Sequence, residues 1–251
     1  MMLADARPLT PDARRCRAEL FKDAPLARSS ESLARMPLFA ALDEREVRDL
    51  DTRCIWRKVD AGEWVIDDHS AGTDVFFVLS GHTRVIITMS GREVILRDIH
   101  DGEYFGELSA IDEKPRSAGI LAISDSIVAR MPGAVFRETI FRHRGVCEIV
   151  LKTLVTAVRA LNTRANEQAN FAVHERLCAE LLRLSRSASD GRIIVSPPPT
   201  HAELGARISA NREAVTKFLN SLEREGAISR TRGAIVLTNP DRLSRIVAGA
   251  G

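Results

Sequence analysis

The sequence predicts an α+β fold in which an antiparallel β roll is followed by a long helix and then by a smaller helical region that closes on a β hairpin. Three observations carry this. Between residues 53 and 131, short apolar runs are separated by Gly62, Gly72, Gly81, Gly91 and Gly102, the rhythm of strands and turns. From about residue 134 to 170 the apolar spacing turns helical. Beyond residue 171, short helical stretches open on capping residues and end at Gly226, and two further apolar runs follow. A chain of 251 residues has room for two cores. The expected division is an extension over 1–30, a β-roll domain over 31–140, a dimerisation helix over 141–171 and a C-terminal domain over 172–251.

In the extension, Pro8, Pro11 and Pro25 break any long helix and leave room for a short one near 12–21. The stretch 32–50 is helical in spacing, through Leu33, Met36, Phe39, Leu42, Val47 and Leu50, and Asp43 with Glu46 forms a capping-box pair. Strands are expected at 64–66, 75–79, 85–87, 94–96 and 120–123, with Ser80-Gly81 and Ser90-Gly91 as hairpin turns. In the long helix, Val150, Leu154, Ala157 and Leu161 follow a 4, 3, 4 spacing, the seam of a paired coiled coil. That predicts a homodimer.

A second amphipathic helix spans 171–185 and begins at the domain hinge. Thr200 and Glu203 then form a capping box for a helix over 201–208, Ser209 is expected to cap the next over 210–225, and Gly226 stops it. With Leu204, Ile208, Val215, Leu219 and Leu222 facing inward, this is a helix-turn-helix. Asn211, Arg212, Glu213 and Lys217 cluster at the start of its second helix, where a recognition helix reads bases. Arg212 suits guanine O6 and N7, and Glu213 suits cytosine N4. The run 228–237 reads as a wing, with Arg230 and Arg232 suited to phosphates.

Charge agrees with that placement. The chain carries 36 basic and 34 acidic residues, yet from Phe171 onward there are 12 basic against 8 acidic, so the positive surface lies at the back. Cys16, Cys54, Cys147 and Cys178 are too scattered for a compact zinc or iron–sulfur motif, and no metal or cofactor is expected. No signal peptide or apolar run of about twenty residues occurs, so the chain is expected to be cytoplasmic and away from membranes. Six scattered histidines and the absence of Gly-x-Ser-x-Gly or His-Glu-x-x-His argue against an enzyme.

The stretch 102–119 interrupts the strand series as a long glycine-flanked insertion. Gly102 and Gly106 permit a sharp turn, and Glu107, Leu108 and Ser109 read as a helix's first turn, whose free N–H groups favour an anion. Arg116 can grip a phosphate with two parallel hydrogen bonds, Ser117 adds a hydroxyl, and the Glu107 carboxylate suits a sugar hydroxyl. Together these describe a site for a ribose cyclic phosphate.

The ordered string Phe-Gly-Glu-Leu-Ser, then Pro-Arg-Ser-Ala, resembles the phosphate-binding cassette of cyclic-nucleotide-binding domains, including those of the CRP/FNR family. The likeness covers about residues 32–245. It implies that Gly106, Glu107, Leu108, Ser109, Arg116, Ser117 and Ala118 line the pocket, with Leu96 and Phe105 counted beside them. It further implies a base-contacting pair on the long helix. Alignment back from Arg176 puts that pair near Leu161, Asn162 and Thr163, where the family's usual Thr-Ser is replaced. Asn162 can both donate and accept, so either an adenine or a guanine edge fits. Asp67-Asp68-His69-Ser70 stands where relatives often have Gly-Glu, and Lys217 where close relatives carry Arg. The resemblance implies a cyclic AMP effector, a palindromic DNA operator and RNA polymerase as partners, with Thr200, Asn211, Arg212, Glu213, Lys217, Arg230 and Arg232 at the DNA. Cyclic GMP, another effector, or a regulatory module acting on a protein partner are the alternatives.

Overall fold

A computed structural model of the chain describes residues 32–68, 70–89 and 91–249. The extension expected over 1–30, its helix near 12–21 and Cys16 lie outside the described residues. The chain divides into two compact units. One runs to Ile87 and resumes over Arg97–Val150; the other takes Thr88–Leu96 and everything from Leu151. Most of the long helix and the tip of one β hairpin therefore belong with the C-terminal part, a division different from the one expected.

The first unit opens with two 3-10 turns, Leu33–Arg35 and Pro37–Phe39, and helix α1 (Glu44–Thr52). The capping box is present: Asp43 Oδ1 accepts from the Glu46 amide at 2.8 Å, and Glu46 Oε2 accepts from the Asp43 amide at 3.0 Å. The roll follows, with β1 (Ile55–Val59), β2 (Trp64–Ile66), β3 (Val75–Ser80), β4 (His82–Met89), β5 (Arg92–His100), β6 (Tyr104–Phe105), the short helix α2 (Glu107–Asp112), β7 (Gly119–Ala122) and β8 (Ser126–Met131). Two sheets, in the orders β1-β8-β3-β6 and β2-β7-β4-β5, enclose a core of Val65, Phe76, Val78, Ile99, Phe105, Ile120 and Val128 among others. β3 is an unbroken apolar run because both its faces are covered. Phe76 lies in the roll, stacked on Phe105 at 5.2 Å, while Phe77 packs against Phe39, Tyr104 and Phe136.

Ser80-Gly81 is not a hairpin turn. β3 and β4 lie in different sheets, and the chain crosses between them at Gly81, φ 98°, where an added Cβ would come within 2.2 Å of Ser126 Oγ. Gly91 does turn between sheet neighbours β4 and β5.

The helical stretch beyond residue 132 is two helices, α3 (Gly133–Arg142) and α4 (Arg144–Asn170), separated at His143 by an extended backbone. α4 has 27 residues, roughly 40 Å at about 1.5 Å per residue. The residues of the expected seam are not equally open: Leu154 is half-buried and Ala157 exposed. Val150 is buried at 2 % exposure, whereas Leu151, Val155, Val158 and Leu161 each remain more than half exposed. Leu151, Leu154, Val158 and Leu161 follow a 3, 4, 3 spacing on the open side of the helix, with Val155 and the exposed Ala157 beside them, and Val150 alone of the expected seam is buried.

The second unit contains α5 (Val173–Leu184), β9 (Arg186–Ser187), β10 (Ile193–Val195), α6 (His201–Ile208), α7 (Arg212–Arg224), β11 (Ile228–Arg230), β12 (Ile235–Leu237) and α8 (Pro240–Val247). The strands form one sheet, β11-β12-β10-β9. Leu177, Leu181, Leu204, Ile208, Val215, Leu219, Leu222 and Leu243 make its core. Ser209 does not cap α7. It sits past the end of α6 with φ 52°, and Asn211 is the cap, accepting from the Ala214 amide at 2.8 Å. Helix α8, absent from the expected elements, starts at Pro240 and is capped by Asn239.

Burial pushes the thiols of Cys54 and Cys178 up to about 12. Both are inert packing groups. Among the described residues no group of His, Cys, Asp and Glu could hold a metal ion, and no helix is long and apolar enough to cross a membrane.

Candidate functional site

The stretch after β6 builds a compact polar niche around Arg116. Gly106 has φ 89°, and a Cβ there would meet Asp74 O at 2.7 Å and Arg116 Nη1 at 2.8 Å. Glycine is required on both counts, conformation and space. α2 starts at Glu107, so its first N–H groups have no partner within its own ladder. Arg116 is 6 % exposed, donates from Nη2 to Asp74 O at 2.8 Å and from Nη1 to Gly106 O at 3.2 Å, and lies over the Phe76 ring at 5.9 Å. Its own amide donates to Ser70 O at 3.1 Å. Ser70, in the stretch where the resemblance noted above breaks, thus bears directly on Arg116 through its backbone carbonyl.

Electrostatics join the two central groups. Burial lowers the pKa of Arg116, and Asp74 and Glu107 oppose that. Burial raises Glu107, while its own backbone amide, Arg97 and Arg116 pull it back down. An arginine that is nearly buried, with no carboxylate hydrogen-bonded to its guanidinium among the described contacts, is suited to receive a phosphate. Ser109 is buried, Ala118 half-buried and Ser117 exposed. Leu108 is 46 % exposed. Phe105 is a core ring beneath the niche, and Leu96 is half-buried on β5 in the other unit. Sequence reasoning missed Arg97, Asp74 and Phe76, which act through charge, backbone carbonyl and ring face respectively and carry no local motif.

In the second unit, Asn162 and Thr163 are exposed on α4, the Thr163 hydroxyl donating to Arg159 O at 3.1 Å. Arg212, Glu213 and Lys217 are exposed at the start of α7. Asn211 spends its carbonyl on the cap, and Thr200 spends its hydroxyl on Glu203 at 2.9 Å. Arg230 is fastened to the same helix, Nε donating to Glu223 Oε2 at 2.9 Å and Nη2 to Asn220 Oδ1 at 2.8 Å, so it ties the wing down. Arg232 is exposed. His201, which the sequence did not single out, sits 2.7 Å from Thr216 Oγ1 and joins the two helices of the motif. Burial, then Arg230 and Arg212, lower its pKa.

Residues 56–143 match the family model of a cyclic nucleotide-binding domain, and residues 175–246 match that of a Crp-like helix-turn-helix domain. Together they span more than half of the chain. The chain belongs to the CRP/FNR family. This CRP/FNR chain is 24 % identical over 219 residues to a CRP-like cAMP-activated global transcriptional regulator of Mycobacterium tuberculosis, covering 86 % of this chain and 98 % of the relative. It is 28 % identical to the cyclic AMP receptor protein of Thermus thermophilus, covering 85 % and 97 %. A solved CooA mutant from Carboxydothermus hydrogenoformans matches with a TM-score of 0.72 at 18 % identity, over 84 % of this chain and 95 % of that one, a likeness of fold. CRP/FNR members are transcription regulators; a lysophospholipase of Phaeosphaeria nodorum matches over only 9 % of its own length.

The exposed start of α7 leads to an expected result. Arg212→Ala in this CRP/FNR chain should cost about 1–3 kcal/mol at one base position and flatten preference there. Binding-site selection with wild type and variant would show it; an unchanged preference would put the reading contacts elsewhere.

Proposed function

We propose that the protein is a homodimeric transcription regulator that binds one cyclic AMP per subunit and, when it does, a palindromic DNA site. The observation that carries the reading is the buried Arg116 guanidinium acting on a half-buried Glu107 at the start of α2. The cyclic phosphate takes Arg116, Ser117 and the α2 amides, the ribose hydroxyl donates to Glu107, and the base meets Asn162 or Thr163 from α4. Gly106, Leu108, Ser109 and Ala118 supply backbone and wall.

On the DNA side, Arg212, Glu213 and Lys217 read or hold the major groove, and Arg232 takes phosphate. Thr200, Asn211 and Arg230 support the motif through the contacts above while lying next to that face. The dimer seam is Leu151, Leu154, Val158 and Leu161, which suits a second copy of α4 and would set two recognition helices about 34 Å apart. Val158→Asp should convert the dimer to monomer, read by sedimentation; a variant still dimeric would move the seam off this face. RNA polymerase is the further partner.

Glu107 gives a pH test. The ribose hydroxyl needs the ionised carboxylate, and burial raises this group above the usual carboxylate range. Its folded value lies above its unfolded one, so the group withdraws stability as pH rises through that window and costs nothing below it. Effector affinity runs the other way, weakening as pH falls through the raised value. Glu107→Gln should cost about 1.5–3 kcal/mol at neutral pH, and the gap from wild type should close on acidification. Calorimetry checks both, and a pH-independent gap would remove Glu107 from the ribose.

The replaced base-contacting pair admits one second reading, a cyclic GMP effector, because the Asn162 amide can serve either purine edge. Parallel titrations with cyclic AMP and cyclic GMP, followed by gel shift, decide between them. No binding of either would reject the effector assignment.

A further inference from the structure

One buried carboxylate takes no part in the ligand or DNA chemistry above. Glu180, on α5, has a side chain only 1 % exposed, and arginines from three helices converge on it. Arg183, one turn along α5, bonds its Oε2 and also holds Glu167 of α4 at 2.6 Å. Arg164 of α4 stands 3.5 Å from Oε2, and its other nitrogen donates to Ile95 O on β5 at 3.3 Å. Arg207 of α6, with a side chain 3 % exposed, stands 3.5 Å from Oε1, an oxygen that accepts no hydrogen bond among the described residues. One carboxylate thereby holds α4, α5 and α6, and through Arg164 the β4–β5 hairpin.

A buried ion cluster of this kind is weak as a source of stability, since packed apolar groups of similar volume do as well. Its contribution is to position. Arg164 and Arg207 lie at the same distance from opposite oxygens, both beyond the usual N–H···O range of about 2.7–3.2 Å. Shortening either contact by roughly half an ångström would bring it into hydrogen-bond range. Glu180 can thus tighten on the α4 side, the α6 side or both when α4 or α5 shifts.

We infer that Glu180 is the joint that passes the state of α4 to the helix-turn-helix, with Arg164 on its effector side and Arg207 on its DNA side. This rests on the reading that the base touches Asn162 or Thr163, the residues just before Arg164. A pull on those side chains shifts the Arg164 guanidinium relative to Glu180, and Arg207 follows. Arg207 occupies the last turn of α6, two residues before Ser209, whose left-handed backbone sets the turn into α7. Arg164, Glu180 and Arg207 are positioning residues and touch neither ligand nor DNA.

The test measures DNA affinity by anisotropy, with and without cyclic AMP, for wild type, Glu180→Gln, Arg164→Gln, Arg207→Gln and the Arg164/Arg207 double variant. Calorimetry of cyclic AMP and thermal midpoints accompany it. The expected result is near wild-type effector affinity with the effector's stimulation of DNA binding reduced at least about fivefold, and a double variant no worse than either single. A purely structural role would lower DNA affinity by the same factor in both states and leave the ratio intact, which overturns the joint. Where Glu180→Gln does not fold, Arg164→Lys keeps the charge and gives the same ratio. Wild type that binds DNA but no cyclic nucleotide refutes the effector reading alone. The joint is then decided on the unliganded chain, where additive effects of Arg164→Gln and Arg207→Gln on DNA affinity would refute it.

Discussion

Replacing Arg116 with alanine should weaken cyclic nucleotide binding by about 3–5 kcal/mol, roughly two to three and a half orders of magnitude in Kd. The size follows from burial: a phosphate drawn into the niche gives up water, and without the guanidinium nothing of opposite charge replaces it. Arg116→Lys should recover only part, because an ammonium cannot present the planar fork that also serves the Asp74 and Gly106 carbonyls. Those two carbonyls make the variant slightly less stable as well, so a denaturant midpoint is measured beside the calorimetric Kd to separate folding from binding. An undiminished affinity in a folded Arg116→Ala protein would mean that the phosphate sits elsewhere.

The cassette was legible because its chemistry needs particular residue types close together in sequence. A glycine with positive φ, a helix start, a carboxylate and a guanidinium all fall within 102–119. The strands β2 to β5 and β7 were legible from their apolar runs, and α1, α6 and α7 from caps or stop signals. What failed depended on partners far along the chain. Ser80-Gly81 looks the same whether its strands pair or cross to another sheet, and only the approach of Ser126 decides. Val150, read as part of an open stripe, is buried within the first unit, a fact no periodicity in α4 carries. Ser209 and Asn211 both satisfy a capping rule, and the backbone at Ser209, already left-handed, gave the cap to Asn211. The Glu180 cluster draws its charges from α4, α5 and α6, so nothing local announces it.

The separation of the two cores sets the other large effect. Leu219 is fully buried on α7 and packs in the cluster that also holds Leu177, Leu204, Ile208 and Leu222. Leu219→Ala should cost about 2–5 kcal/mol, the range for deleting a buried leucine side chain. Against a total of about 5–15 kcal/mol for an ordinary domain, that is a large share of what holds the C-terminal unit folded. None of the residues in that cluster lines the roll's core, where Val65, Phe76, Phe105 and Ile120 pack separately. The thermal trace should therefore split, with one transition lowered by several degrees per kcal/mol and the other unmoved, while cyclic nucleotide affinity falls far less than DNA binding. α4 belongs to both units, so the sharper readout is hydrogen exchange: protection should drop across α5 to α8 and persist in β3 and β8. Equal loss of protection in the roll would show that the two cores fold as one, and the division at Val150 would then have no energetic meaning.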